Sequence, residues 1–332
     1  MNSPSVAVVG AGLAGLACAR RLQQAGIQPR VFESQRAPGG RMATRRYQAA
    51  TFDHGAQYFT ATGAGFRQVI EQASAAGIVG RWRPDWPGGE QERKDLWVGL
   101  PGMGALPRRL ADGLDVEYGV RIVRIEHARR GWTLQDDRGA AHADFAAVVL
   151  ALPAPVAAVL AAPHTPLAAR AHAVRMAPCW AVMATYVEPL ERLPDASFTG
   201  DAVLPWFARN GSKPGRDAPQ AWVLHASAEW SRREFDSAPE RIQRTLLERF
   251  AAQAGRSLPR PALVDSHRWR HARVENPLGE PCLYDRAAGI GFCGDWCLDA
   301  RIEAAFQSGD ALGAELAQAR GREGSGKMRG SP

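Results

Sequence analysis

Apolar positions at the start of the chain follow two periods in immediate succession. Residues 6–9 (Val-Ala-Val-Val) form a short apolar run suited to a buried strand, and past the glycines at 10 and 12 the apolar positions Leu13, Leu16, Ala17 and Leu22 recur at helical spacing. Residues 28–32 supply a second strand, so a strand–helix–strand unit of about 30 residues is predicted. Further on, the pattern predicts paired strands over 115–126 and 132–135, then an apolar strand over 147–152 stopped by Pro153 and Pro155. Between 161 and 284 the texture changes to tryptophan-bearing β runs at 180–187, 203–208 and 221–227, with one helix near 240–252, which predicts a separate antiparallel layer. A strand at 289–293 and a helix over 301–319 close the ordered part. Residues 321–332 are polar and Gly/Ser-rich with no apolar face, the signature of a disordered tail.

Composition narrows the setting. At 332 residues the chain exceeds one typical domain and has ample material for a core. The net charge of +7 comes from arginine scattered along the whole sequence, with Lys94, Lys213 and Lys327 the only lysines, so no basic arm or helix points to nucleic acid. Five cysteines, Cys18, Cys179, Cys282, Cys293 and Cys297, make no CxxC pair and no even framework, which predicts free thiols in a reducing, cytoplasmic setting. No apolar stretch approaches the roughly 18 residues of a membrane span, and no membrane partner is expected.

Chemistry enters at the first turn. Gly10, Gly12 and Gly15 have the G-x-G-x-x-G spacing and lie between the predicted strand and helix. Gly10 permits the tight turn, Gly12 lets a pyrophosphate approach the backbone, and Gly15 allows close helix–strand packing, with the phosphates on the helix N-terminus. Glu33 ends the second strand, placed to accept hydrogen bonds from a ribose diol and to disfavour a 2′-phosphate.

The sequence continues with Pro38-Gly39-Gly40-Arg41 and with Phe52-Asp53-His54-Gly55-Ala56-Gln57-Tyr58-Phe59. Here it resembles the flavin-containing amine oxidase superfamily, and renalase-like members in particular. Supporting pieces are 100–110 with Gly102 and Gly104, the strand Arg121-Ile122-Val123-Arg124-Ile125, the run 147–155, and Phe292-Cys293-Gly294-Asp295-Trp296 followed by Arg301-Ile302-Glu303-Ala304-Ala305. The resemblance implies an α/β, two-dinucleotide-binding (Rossmann-type) FAD domain with a second, antiparallel-sheet substrate domain. On that plan the FAD domain comprises 1–61, 100–160 and 285–320, the substrate domain 62–99 and 161–284, and the tail 321–332. It further implies one noncovalent FAD, held by Gly10, Gly12, Ala14, Gly15, Glu33, Ser34, Gly40, Arg41, His54, Gly55, Ala56, Gln57, Ile122, Gly294, Asp295, Ile302 and Ala305.

Two departures from amine oxidases shape the expected activity. Neither Lys94 nor Lys213 falls in a segment matching the family's lysine that holds water at flavin N5, and Arg301 replaces the tyrosine expected before the closing motif. A guanidinium there opposes an amine and suits phosphate, carboxamide or carboxylate. Renalase-like enzymes oxidise the 2- and 6-dihydro isomers of NAD(P)H and reduce O2 to hydrogen peroxide, a hydride transfer in which flavin N5 does the chemistry and no protein base is demanded. Gln57, Trp206, His225, Trp269 and Arg301 are expected on the substrate face, and of these Trp206, His225 and Trp269 fall in segments that resemble the family's pocket-lining strands. His267 and His271 share a strand face without a nearby third ligand, so no metal is expected. An amine oxidase, a desaturase of apolar polycycles, and a flavin-binding protein without turnover are the other readings.

Overall fold

The opening run is the strand Ser5–Val9, and it lies in the middle of a mainly parallel sheet. A computed structural model of the chain describes residues 5–47, 50–86, 95–218 and 220–327. It divides into two units, the first made of residues 1–40, 107–175 and 274–332 and the second of 41–106 and 176–273.

In the first unit the sheet order is Leu283–Asp285, Ile290–Phe292, Ala141–Leu150, Ser5–Val9, Pro29–Glu33, Asp115–Tyr118. Ser5–Val9 pairs in parallel with both neighbours, in the register Val6↔Ala147 and Val6↔Pro29. The strands read as continuous apolar runs because both faces of such a sheet are covered. On one face Val6, Val8, Val31, Ala147 and Val149 bury against Leu16, Ala19 and Leu22 of the helix Leu13–Gln24 and Leu312 and Leu316 of the closing helix. The two helices cross closely because Gly309 has no side chain: a Cβ there would collide with the Ala14 carbonyl oxygen.

The second unit holds a five-stranded sheet in the order Ala196–Phe198, Trp206–Arg209, Ala221–His225, Met176–Thr185, Leu263–Val274, its first four strands antiparallel. The helix Pro239–Gln253 lays Ile242, Leu246 and Phe250, spaced by four, onto Phe207 and Trp222. Two small ribbons, Arg45–Tyr47 with Ala50–Phe52 and Val79–Trp82 with Leu96–Gly99, complete it.

The structure corrects the sequence reading at several points. The single strand expected over 115–126 is two: Asp115–Tyr118 runs parallel to Pro29–Glu33, whereas Ile122–Ala128 forms a hairpin with Gly131–Asp136. Gly119, at φ +72°, turns the chain between them. The closing helix runs Ile302–Lys327, so helix occupies 321–327 of the expected tail, each residue adding a backbone hydrogen bond to a helix already anchored at Leu312 and Leu316. Residues 328–332 lie outside the described residues.

The unit boundaries move as well. Residues 41–61 and 100–106 fall in the second unit, tied there by Asn210 Nδ2 donating to the Thr51 carbonyl and Met103 N–H to Asp53. Residues 161–175 and 274–284 fall in the first, through Thr165 on Asp285, Arg170 on Glu280, and the Leu278 N–H on the Trp296 carbonyl.

Replacing Gly309 by alanine should force the two helices apart and cost roughly 1–3 kcal/mol. The urea midpoint should fall with an unchanged slope, and a midpoint equal to that of the parent would contradict the crossing as described.

Candidate functional site

In the first unit the glycine loop is built as the spacing predicts. Gly10 has φ +105°, and a Cβ on it would sit 2.6 Å from the Ala151 carbonyl oxygen, while a Cβ on Gly15 would overlap the Gly10 carbonyl. Gly12 differs, since a Cβ there meets nothing within 4 Å. It caps the helix Leu13–Gln24, whose first turn carries no acid and whose cap makes no side-chain hydrogen bond. The first N–H groups and the positive helix end therefore face the open side of Gly12, as an anion requires. Gly40 closes over the loop, its own Cβ position 3.7 Å from Gly12 Cα, and Gly39 N–H donates to the Ala11 carbonyl at 3.0 Å.

Glu33 pins this loop. Its Oε2 accepts from Ala11 N–H at 2.8 Å, and its Oε1 from Gln35 N–H at 2.8 Å and Ser34 Oγ at 3.3 Å. Three of the roughly four acceptor positions of a carboxylate are used, and one on Oε2 remains for a ribose hydroxyl. Ile122 is buried at the start of its hairpin. Gly294 N–H donates to Ser308 Oγ at 3.0 Å, and the buried Asp295 accepts from Trp296 N–H at 3.0 Å. Ile302 and Ala305 begin the closing helix. The open cradle at Gly12, the uncapped helix end and the remaining Glu33 lone pair fit the pyrophosphate and ribose of a dinucleotide. Arg301, half exposed, donates through Nε to Asp299 at 2.6 Å, so its charge is compensated within its own turn.

In the second unit residues 53–57 form a tight turn. Ala56 N–H donates to the Arg41 carbonyl at 2.9 Å, and a Cβ on Gly55 would overlap that same oxygen. Arg41 itself reaches the Ala272 carbonyl at 3.3 Å. The His54 carbonyl accepts two side-chain hydrogen bonds, from Trp269 Nε1 at 2.9 Å and His225 Nε2 at 3.2 Å. The His54 ring stacks on Trp269 with centroids 4.9 Å apart and meets His267 edge-on at 4.8 Å. Its Nδ1 is buried without a hydrogen-bond partner among the described residues. Such an orphan is rare in proteins and calls for an acceptor or donor from a bound molecule.

The imidazoles here stay neutral. Burial, with smaller opposition from neighbouring His267 and Arg45 to a second positive charge, pushes His54 down to about 3, and burial pushes His225 down to about 4, against partial support from the His54 carbonyl. Trp206, opposite His225 in the sheet register, is buried with its Nε1 unpartnered among the described residues. Among the described residues no group of three or more His, Cys, Asp or Glu is arranged to hold a metal ion.

Gln57 takes a different part from the one expected. Its Nε2 donates to the Asp53 carbonyl and, at 3.1 Å, to that of Gly55, while its Oε1 accepts from Lys213 Nζ at 3.1 Å. With its amide consumed, Gln57 fixes the turn and has no donor left for a substrate carboxamide.

Sequence reasoning missed the group behind that turn. Asp53, fully buried, accepts from Thr44 Oγ1 and Met103 N–H, each at 2.9 Å, from Arg216 at 2.6 Å and from Lys213 at 3.3 Å. Burial alone would raise Asp53, but Lys213 and Arg216 more than offset it and hold the carboxyl below its ordinary value. The available signal was Asn210-Gly211-Ser212-Lys213-Pro214-Gly215-Arg216, a turn-rich segment carrying one of three lysines. Tyr58, 6.1 Å from both Trp82 and Trp206 and 6.0 Å from Trp86, was also missed. Lys94 lies outside the described residues.

The sequence and the fold both have known relatives. Residues 8–73 match the NAD(P)-binding Rossmann-like domain, and residues 88–312 match the Flavin containing amine oxidoreductase family. The chain belongs to that family of FAD-dependent enzymes, and its cofactor is FAD. The fold is similar to that of a putative protoporphyrinogen oxidase from Exiguobacterium sp. 255-15, with a TM-score of 0.75 at 14% identity over 96% of this chain and 99% of that one. It is also similar to cyclohexylamine oxidase from Brevibacterium oxydans IH-35A, with a TM-score of 0.70 at 15% identity over 95% and 99%. Among curated sequences, 57 residues are 47% identical to hydroxyneurosporene desaturase of Cereibacter sphaeroides, a stretch covering 17% of this chain and 12% of that protein. A 65-residue stretch is 44% identical to the Arabidopsis thaliana Protein FLOWERING LOCUS D, covering 18% of this chain and 8% of that protein.

Two outcomes test the site. Gly12→Val, at an open position with ordinary backbone angles, should leave folding intact and strip FAD; full FAD occupancy in the purified variant would refute the cradle. For pH, His54 and His225 have folded values below the ordinary 6.5, so the unfolded chain binds more protons on acidification. Their contribution is complete above pH 6.5 and lost as pH falls toward 4 and 3. The urea midpoint should decline over that window, less steeply in His225→Gln, and a flat profile would contradict buried neutral imidazoles.

Proposed function

We propose that the protein is an FAD-dependent oxidase of the renalase type, converting the 2- and 6-dihydro isomers of NAD(P)H to NAD(P)+ while O2 is reduced to hydrogen peroxide. The observation that carries this reading is the face around Trp206, His225 and Trp269. It offers neutral imidazoles and indoles, and the buried Lys213 beside it has each of its three N–H groups on an acceptor: Asp53, Gln57 and Asn210. Among the described residues this face thus presents no charged base and no lysine N–H free to hold a water. Loss of hydride from a dihydropyridine gives an aromatic pyridinium without removal of a proton, so none is required.

Bound FAD would supply the two-electron redox chemistry, by which dihydropyridine, O2 and one proton give pyridinium and hydrogen peroxide. The chain's residues position and shield the ring. Trp269 is engaged on His54 by its N–H and packed by its ring against His54 and His267, so it braces the turn, while the Trp206 N–H, unpartnered among the described residues, suits a carboxamide oxygen. Gln57 holds the turn that carries His54. A cytoplasmic setting belongs to this reading, supported by five free cysteines.

Oxidation of an amine is the second reading. It is favoured by one observation, the Arg301–Asp299 pair, which removes the uncompensated cation that would have repelled an ammonium.

Anaerobic stopped-flow absorbance with borohydride-reduced NAD+, a mixture of 2-, 4- and 6-dihydro isomers, separates the readings. Rapid flavin bleaching by the 2- and 6-isomers, with ordinary 4-dihydro NADH slow, is expected. Bleaching by an amine and by none of the isomers would replace the first reading with the second, and bleaching by neither would leave a flavin-binding protein without turnover.

A further inference from the structure

Asp53, Lys213 and Arg216 place one negative and two positive charges in a region where all three side chains are fully buried, a net of one positive charge for the three. Lys213 is saturated by its three acceptors. Arg216 donates to Asp53 and to the Gly99 and Pro214 carbonyls, yet its Nε is buried with no acceptor among the described residues. A buried charge that solvent does not screen acts over several ångströms, and the Lys213 ammonium lies 5.4 Å from the centre of the Trp82 ring. Trp82 adjoins Tyr58, Tyr58 adjoins Trp206, and the Lys213 charge contributes to the lowered pKa of His225.

We propose that this cluster sets charge selectivity at the Tyr58–Trp206–His225 face, favouring planar anionic or electron-rich ligands and rejecting ammonium ions. The inference rests on the reading that a small molecule occupies this face, and it names the class admitted there. With its three N–H groups taken by Asp53, Gln57 and Asn210, Lys213 acts through its field and through Gln57, and so is a positioning residue with a charge.

The wild-type protein contains its own test, because Lys213 can be discharged without mutation. Burial lowers its pKa to about 8, with Asp53 restoring part of the loss. Besides the Arg216 guanidinium, the groups facing it do not change charge between about pH 6 and about pH 9.5: Asp53 is held low, His54 and His225 are already neutral, and burial raises Tyr58 above its usual 10.

Binding of benzoate and of phenyltrimethylammonium, both of fixed charge in that range, is measured by calorimetry on the FAD-loaded protein. Benzoate affinity should fall about tenfold between pH ~7 and pH ~9.5, while that of the cation rises. In Lys213→Met, with FAD content and melting temperature checked, benzoate should bind weakly at every pH and the opposing trends should vanish. A constant ratio of the two affinities across pH in the wild type, or no binding of either probe at about 10 mM, would overturn the proposal even if Lys213→Met fails to fold. Neither probe can donate hydride, so the outcome is independent of the bleaching experiment. Opposing trends without bleaching by dihydronicotinamides would keep the selectivity and discard the oxidase reading.

Discussion

The second unit is organised around one carboxylate. Asp53, fully buried, receives hydrogen bonds from Thr44, Met103, Lys213 and Arg216, which fill its four acceptor positions. An ion removed from solvent loses several kcal/mol of hydration, and only a full complement of donors makes its burial tolerable. The same requirement brings the loop after Trp206–Arg209 against the ribbon Ala50–Phe52. It also fixes Gln57, and through Gln57 the turn on which His54 sits.

Glu33 plays a comparable part in the first unit with neutral donors. By holding Ala11 and Gln35 through its two oxygens, it sets the glycine loop and the end of the second strand in one geometry. The helix behind is left without a cap of its own, which is costly in isolation and useful where an anion completes it. In both units an acid buried by its hydrogen bonds determines where backbone and side-chain donors are left to be used by something else.

The legibility of the parts in sequence follows from this. The glycine loop, the strand–helix–strand unit and Glu33 were readable because each depends on neighbours within about 30 residues, and the glycines are demanded by backbone angles and close approaches. The family motifs carried the FAD assignment along most of the chain. The split of 115–126 was not readable from periodicity, since both halves are β and only the left-handed Gly119 separates them. Gln57, ranked for substrate, turned out to be spent on its own turn and on Lys213, a residue 156 positions away. Arg301, expected on the substrate face, is paired two residues back with Asp299.

What the sequence alone determined is the class: a Rossmann-type dinucleotide domain, an antiparallel second sheet, and FAD, because local period, glycine spacing and contiguous motifs encode them. What only the tertiary structure decided is which polar groups remain available. A histidine, a glutamine or a lysine has the same letter whether its hydrogens are spent or free, and its charge depends on burial and on partners far off in sequence. Those partners meet only when the chain folds, and with them come the neutrality of His54 and His225, the saturation of Lys213 and the nitrogens of His54, Trp206 and Arg216 that have no partner among the described residues.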